Sequence, residues 1–80
     1  MNWRDHIHSN PDIGQGKPVF RGTRFKVEFL LKLVGAGWDL PKIQEEYPEL
    51  EAHHLQAAAA FAAQMMHDEE AAAIGQAKAA

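Results

Sequence analysis

From residue 27 onward, the apolar residues of the chain follow a helical period. Over residues 27–34 they recur three and four positions apart, and Glu28 and Lys32 are four apart and can pair on the solvent side. This spacing predicts a first helix that is apolar around much of its circumference and therefore lies in the core. Gly35 and Gly37 supply the left-handed stop that commonly ends such a helix.

Two further helices are predicted in the second half of the chain. Asp39 is well placed to cap the second helix, Pro41 is tolerated in its first turn, and Pro48 ends it. A third helix starts near Glu51, where alanine gives high intrinsic helix propensity and little side-chain surface to bury. Its apolar residues fall on two neighbouring rows, which are Leu55, Ala59, Ala62 and Met66, and Ala58, Phe61 and Met65.

A shorter alternation of apolar and basic residues precedes the helices, in residues 16–27 (GKPVFRGTRFKV). Gly16 and Gly22 can adopt the positive φ angles of tight turns, and Pro18 favours extended geometry at the residue before it. We interpret this stretch as a compact β-element with a turn at residues 21–24. Its apolar anchors on the two sides of the turn are Val19 and Phe20, and Phe25 and Val27.

Together these elements predict a mainly α fold, with a short N-terminal β-hairpin followed by a trihelical helix-turn-helix core. Residues 1–10 are mostly polar and are expected to form an extended lead-in along the surface. Residues 1–70 are expected to form a single domain. Residues 71–80 are expected to form an alanine-rich C-terminal tail, which either frays or extends the third helix.

The composition is that of one small domain, with 80 residues, 46% of them hydrophobic, and no cysteine. A chain of this size often gains stability by forming oligomers, and disulfides cannot stabilise this one. The sequence has neither a signal-peptide pattern nor a run of about twenty apolar residues. We therefore expect a soluble, cytoplasmic protein that has no contact with a membrane.

Charge divides the chain into a basic and an acidic half. Residues 1–42 carry a net charge of +3 and residues 43–80 a net charge of −6, which gives −3 for the whole chain. Such a division indicates that the halves face different partners, or each other across a homodimer.

The positive charge is concentrated in the β-element, and a nucleic-acid backbone is a natural ligand for such a surface. The candidates for phosphate contacts are Lys17, Arg21, Arg24 and Lys26. Two alternatives stay open. Arg21 and Arg24 can instead pair with internal carboxylates such as Asp12 and stabilise the turns, and the two lysines can simply be solvated.

A second candidate DNA surface is the start of the third helix, because helix-turn-helix proteins place that helix in the major groove. His53, His54 and Gln56 could donate hydrogen bonds to bases from this position. However, Glu51 would face phosphate, and no Lys or Arg lies nearby. The sequence therefore favours the basic β-element as the DNA contact.

The remaining residues indicate neither a metal site nor an enzyme. The chain has five histidines, but no pair has the i, i+4 spacing with a glutamate that zinc enzymes use. Ser9 is the only serine, so no nucleophile with a histidine and an acid is indicated. We predict no catalytic residue, no cofactor and no metal. Phe61, Met65 and Met66 are expected in core or partner contacts.

The run G-K-P-V-F-R-G-T-R, followed by A-G-W-D-L, I-Q-E-E-Y-P-E-L and an alanine-rich helix, resembles the small bacterial family catalogued as domain of unknown function 433 (DUF433). The resemblance covers roughly residues 7–63. It implies a homeodomain-like trihelical fold behind a short β-hairpin, commonly as a homodimer. Members are similar to VapB-type antitoxins, in which a small DNA-binding protein neutralises a PIN-like ribonuclease toxin.

Two functions are therefore expected. The first is an antitoxin-like regulator of a type II toxin-antitoxin pair, which binds operator DNA and docks its acidic half and the tail from Met65 onward to a basic ribonuclease toxin. The alternative is a protein interaction module with no nucleic-acid role, which fits an acidic third helix. The sequence departs from the family pattern near Glu51, where no Ser or Thr caps the helix.

Overall fold

The computed structural model describes the backbone of residues 1–12 and 14–79 and the side chains of residues 1–12 and 15–70. The fold is mainly helical, with an N-terminal two-stranded antiparallel hairpin followed by three helices, which confirms the predicted class. None of the described helices combines the length and the apolar composition that a membrane span requires. The elements are β1 (Ile7–His8), β2 (Val19–Phe20), α1 (Val27–Gly35), α2 (Leu40–Glu46) and α3 (Ala52–Ala79).

The hairpin is formed between β1 and β2. Ile7 lies opposite Phe20 and His8 opposite Val19 in the antiparallel register. The prediction that residues 1–10 form only a lead-in is therefore wrong, because this segment supplies a strand. Ile7 gives the physical reason: its side chain is 3% exposed and packs in the hydrophobic core, which an extended surface segment would not allow.

The residues after the turn contribute less to the sheet than the sequence predicts. Val19 and Lys26 form a single antiparallel bridge, and the Phe20 amide donates a hydrogen bond to the Phe25 carbonyl at 3.0 Å. The residues after the turn cannot form a third full strand, because α1 already begins at Val27. The turn lies at the predicted residues, while the main partner of β2 is β1.

A 3₁₀ turn, Trp3–Asp5, precedes β1 and packs against α3. The Asn2 side chain caps it by accepting a hydrogen bond from the Arg4 amide at 3.1 Å. The Trp3 ring meets Phe61 edge to face, with ring centroids 5.0 Å apart, an arrangement that aromatic pairs favour. The N-terminal segment is therefore part of the packed body.

The core position of α1 agrees with its apolar period. Val27 and Leu30 are each 1% exposed, and the predicted pair of Lys32 and Glu28 forms with 3.9 Å between Nζ and Oε1. The helix ends where the sequence predicts, since Gly37 has a φ of 93°, which residues with a Cβ rarely adopt.

The predicted cap of α2 is confirmed. Asp39 Oδ1 accepts a hydrogen bond from the Lys42 amide at 3.0 Å, and Ile43 is fully buried. Beyond the helix, the Tyr47 ring packs against three other aromatic rings, those of Phe25, Phe29 and Trp38. This aromatic cluster fixes α2 against α1 and the turn.

Small side chains let α3 approach α1 and the 3₁₀ turn closely, since Ala57 and Ala58 are fully buried. The helical backbone continues into the predicted tail, residues 71–80, as far as Ala79, while the side chains of that tail lie outside the described residues. The core combines residues from all five elements and the α2–α3 loop, namely Ile7, Val19, Phe20, Val27, Leu30, Ile43, Leu50, Ala57 and Ala58.

Candidate functional site

The turn between β2 and α1 is held by its own hydrogen bonds. The Thr23 hydroxyl donates to the Phe20 carbonyl at 2.9 Å and accepts from the Phe25 amide at 3.1 Å. Gly22 has the predicted positive φ, 79°. This network fixes the backbone that carries the two arginines on either side of it. The sequence analysis did not predict this role of Thr23. A hydroxyl residue directly after a glycine in a turn is the sequence signal that indicates it.

Arg21 and Arg24 are exposed on this turn. Arg21 Nε donates a hydrogen bond to the Arg4 carbonyl at 3.3 Å. Among the residues that the structure describes, no carboxylate pairs with either guanidinium, so the alternative pairing with Asp12 does not form. The β1–β2 pairing adds Arg4, which is also exposed, to the neighbourhood of Arg21. We call Arg4, Arg21 and Arg24 the basic turn surface.

The two lysines of the predicted DNA contacts have other neighbours. Lys17 Nζ lies 3.6 Å from Glu28 Oε1 on α1. Lys26 is half-buried in the position just before α1. Both side chains are therefore more constrained than the solvated lysines of the alternative interpretation, although an exposed ion pair stabilises the fold by at most about 1 kcal/mol.

A shallow hollow of about 700 Å³ lies beside the basic turn surface and is lined by Gly22, Thr23, Arg24, Phe25 and Glu49. An anion entering it would meet the Arg24 guanidinium together with the Glu49 carboxylate, which is exposed. Because these two charges oppose each other, the hollow is a poor phosphate site, and the exposed outer face of the turn is the better one.

His54 lies in the first turn of α3 and is buried, with 6% of its surface exposed. Its Nδ1 accepts a hydrogen bond from the Glu51 amide at 2.9 Å, and its ring packs edge to face on Phe20 with centroids 5.0 Å apart. A Glu or Gln three residues after a helix cap usually accepts this bond in a capping box. His54 therefore supplies the capping interaction that the sequence lacks at Glu51.

Burial lowers the pKa of His54 below its ordinary value of 6.5. Charge on His53 lowers this pKa further, the Glu51 carboxylate raises it, and His6 contributes a smaller lowering effect. The imidazole is therefore neutral near pH 7, and its Nδ1 can accept the capping bond. Its burial removes His54 from the second candidate DNA surface, at the start of α3, whereas His53 is half-buried and Gln56 is exposed.

Glu51, His53 and His54 offer potential metal-ligand atoms that all lie within 4.8 Å of one another. However, His54 Nδ1 is already occupied by the Glu51 amide. In the neutral ring the proton then lies on Nε2, so this histidine offers no lone pair to a cation unless the capping bond breaks. That no metal is bound stays a prediction.

The three predicted partner contacts on α3 differ in exposure. Phe61 is half-buried against Trp3, Met65 is 38% exposed and Met66 is 62% exposed. Phe61 lines an open groove of about 550 Å³, which we call the α3 groove. Its lining residues are Lys17, Pro18, Val27, Glu28, Leu31, Lys32 and Phe61. Large apolar side chains next to an open groove are typical of an interaction surface.

The fold and these surfaces define a small, mainly helical domain with a basic turn surface and, separately, an apolar groove at Phe61, with two exposed methionines further along α3. The sequence profile of the family described as "Protein of unknown function (DUF433)" matches residues 7–62, and the chain belongs to this family. The matched residues run from β1 into α3 and end just before Met65.

A curated relative is "Uncharacterized protein y4eO" of Sinorhizobium fredii, which is 37% identical over 59 residues. The similar stretch covers 74% of this chain and 27% of that protein, so the chain spans about a quarter of the relative's length. No solved structure matches the chain significantly.

Proposed function

We propose that the protein is an antitoxin-like regulator of a type II toxin-antitoxin pair, which contacts operator DNA through the basic turn surface and a PIN-like ribonuclease toxin through its acidic half. The observation that carries the proposal is the exposure of Arg21 and Arg24 on a hydrogen-bonded turn, without carboxylate partners among the described residues. The resemblance to VapB-type antitoxins supports it.

The DNA contact is supported by electrostatics. Guanidinium groups that are exposed and held by a fixed backbone can neutralise phosphates, and the released counterions supply binding free energy that depends on salt. The fixed turn reduces the conformational entropy that the two arginines lose on binding. Lys17 and Lys26 extend the same segment on its two sides, and His53 and Gln56 are additional polar groups at the start of α3.

The toxin contact is supported by the distribution of acidic groups. Residues 43–80 carry a net charge of −6, and within them Met66 is an apolar side chain that is 62% exposed. Glu70 lies one helical turn further along the same side of α3 and is also exposed. A basic ribonuclease surface with an apolar pocket would complement this arrangement.

The DNA contact is tested with the segment upstream of the protein's own coding sequence. R21A/R24A should weaken binding. The slope of the logarithm of the association constant against the logarithm of salt concentration is negative, and its magnitude should decrease by about 0.9 for each phosphate that is no longer neutralised. K42A is the control, because Lys42 is an exposed cation on α2, outside the basic turn surface, and its Nζ lies over the Trp38 ring. Fluorescence anisotropy at four salt concentrations measures both quantities.

Equal losses of affinity in R21A/R24A and K42A, or no salt-dependent binding by the wild type, would contradict the DNA contact. That result would favour the alternative, a protein interaction module with no nucleic-acid role. The specific observation that favours this alternative is the Glu49 carboxylate beside Arg24, which opposes phosphate binding on that side of the turn.

The toxin contact is tested by mixing the purified chain with the product of a neighbouring reading frame that encodes a PIN-like nuclease. We expect a complex in size-exclusion chromatography. M66K/E70K should raise its dissociation constant about tenfold or more, because both substitutions place a positive charge against a basic surface. E45K, an exposed reversal on α2, is the control. Failure of the wild-type chain to form a complex would argue against the antitoxin proposal.

A further inference from the structure

The hollow beside the basic turn surface, which we call the turn hollow, brings three kinds of side chain to one place. Arg24 supplies a guanidinium group, Phe25 an aromatic ring and Glu49 a carboxylate, and all three line a space of about 700 Å³. This volume is within the range of small-molecule sites in proteins. Glu49 belongs to the α2–α3 loop, so only the fold brings it to the turn.

The backbone on both sides of the turn hollow is fixed by hydrogen bonds. On one side, the Thr23 amide and hydroxyl both donate to the Phe20 carbonyl, at 3.1 and 2.9 Å. On the other side, the Leu50 amide donates to the Tyr47 carbonyl at 3.0 Å, and Leu50 itself is fully buried. The backbone that carries the two charged side chains therefore loses little conformational freedom when a ligand binds.

The two charges in the turn hollow do not neutralise each other directly. Arg24 and Glu49 are both exposed, and among the described residues no ion pair joins them. A ligand that complements both must offer an anionic group to Arg24 and hydrogen-bond donors to Glu49, because a carboxylate only accepts. Phosphate alone does not meet the second requirement.

Phe25 adds a planar apolar wall. Its ring is half-buried and is held by a stacked contact with Phe29, with centroids 6.0 Å apart, and by an edge contact with Tyr47, with centroids 5.8 Å apart. The hollow is open at Gly22, where an added Cβ would meet nothing within 4 Å. Unpaired nucleobases stack on aromatic side chains of this kind.

Guanine complements this set of groups better than the other bases do. Its N1–H and exocyclic N2–H₂ are adjacent donors on one edge of the base, and the two oxygens of a carboxylate can accept from both. Adenine and cytosine have an acceptor next to the amino group on the same edge, and thymine has a carbonyl oxygen on each side of its N–H. Each of these acceptors would face the lone pairs of the carboxylate.

We propose that the turn hollow binds a guanine nucleotide whose base is unpaired. Glu49 accepts the hydrogen bonds of the guanine edge, Phe25 stacks on the base, and Arg24 binds the phosphate. In a longer strand, the exposed Arg4 and Arg21 are available to further phosphates. The inference goes beyond the proposed operator contact, because in a duplex this edge of guanine is paired with cytosine and cannot reach Glu49.

The test is fluorescence anisotropy with labelled single strands of thymidine nucleotides, about eight long, a typical length for single-strand binding sites. A matched strand carries one central dG. The wild type should bind the dG strand about tenfold more tightly than the all-thymidine strand, and E49A should reduce this preference to about threefold or less. E49Q should reduce it similarly, because it keeps the size of the side chain but replaces one acceptor by a donor.

E46A is the matched control for charge. Glu46 is an exposed acid at the end of α2 and does not line the turn hollow. Its removal should increase the general attraction to phosphates about as much as E49A does, and it should leave the preference for dG unchanged. R24A should weaken the binding of both strands and the salt dependence without changing the preference. Circular dichroism checks that each variant retains the wild-type helix content.

Competition with guanosine monophosphate distinguishes two sources of the ligand. If the free nucleotide displaces the dG strand at concentrations near the dissociation constant of that strand, the site takes free guanine nucleotides. If displacement needs a much higher concentration, the site takes guanine within a strand, whose further phosphates contribute to binding. Both results support the guanine site.

The proposal is overturned if the wild type binds neither strand, if it binds the dG strand no more tightly than the all-thymidine strand, or if E49A and E46A change the preference equally. None of these results bears on the binding of duplex operator DNA, which is measured separately. Conversely, a preference for dG without any duplex binding would contradict only the operator contact.

Discussion

Phe20→Ala should destabilise the protein by about 3–5 kcal/mol, the range typical of truncating a fully buried aromatic side chain. Phe20 is fully buried, and its ring packs on His54 with centroids 5.0 Å apart. A domain of this size has about 4–12 kcal/mol of total stability, so the variant should lose at least about a quarter of it and unfold at a lower urea concentration than the wild type. Urea titration followed by circular dichroism measures the change in the free energy of unfolding.

Phe20→Leu is the matched control for this prediction. It keeps a large apolar side chain and the backbone hydrogen bonds, so we expect it to destabilise the protein by about 1.5 kcal/mol or less. Phe29→Ala is a second control, because Phe29 is only half-buried in the aromatic cluster with Tyr47. If Phe20→Ala costs no more than Phe29→Ala, the placement of β2 at the centre of the core is wrong.

Acidification should destabilise the protein through His54. Burial lowers the pKa of His54 in the folded chain, so between that value and 6.5 the unfolded chain binds more protons than the folded one. Stability therefore rises with pH in this window, and it is lost as the pH falls below about 6.5. The contribution cannot exceed about 1.4 kcal/mol per pH unit, since a single proton is involved.

The surroundings of His54 explain why its protonation is costly. When His54 is protonated, its Nδ1 becomes a donor and can no longer accept the hydrogen bond from the Glu51 amide. The positive ring would also lie against Phe20 and beside His53 and His6, and the Glu51 carboxylate would offset only part of this cost. The protonated form therefore loses the cap and is desolvated.

His54→Gln isolates the contribution of this histidine from those of the other titrating groups. A glutamine side-chain oxygen can accept the same amide hydrogen bond, as in an ordinary capping box, and does not titrate. We expect the variant to fold, and its stability should depend less on pH below about 6.5 than that of the wild type. Equal pH dependence in thermal unfolding of the two proteins would show that His54 is not the responsible group.

The helices could be predicted because their signals are local. The period of residues 27–34, the cap at Asp39 and the stop at Gly37 act over one or two turns, and all three are confirmed. The partner of β2 could not be predicted in the same way. Two short apolar segments flanked β2, and only the packing of Ile7 in the core decides that β1 is its partner.

The candidate surfaces were predicted in part. The sequence indicated exposed basic residues at the turn, and Arg21 and Arg24 are exposed there. It did not indicate Arg4, because the hydrogen bond from Arg21 to its carbonyl depends on the β1–β2 pairing. It also grouped His54 with surface histidines, since burial depends on how closely β2 approaches the start of α3.

By itself, the sequence determined three helices, the ends of α1 and α2, the turn at residues 21–24 and the division of charge, because these properties follow from residue type and from neighbours a few positions away. The tertiary structure decided which strand pairs with β2, which histidine is buried as a cap, and which lysines share Glu28 at the α3 groove. Those contacts join residues far apart in the chain, and their free energies arise only when burial brings the residues together.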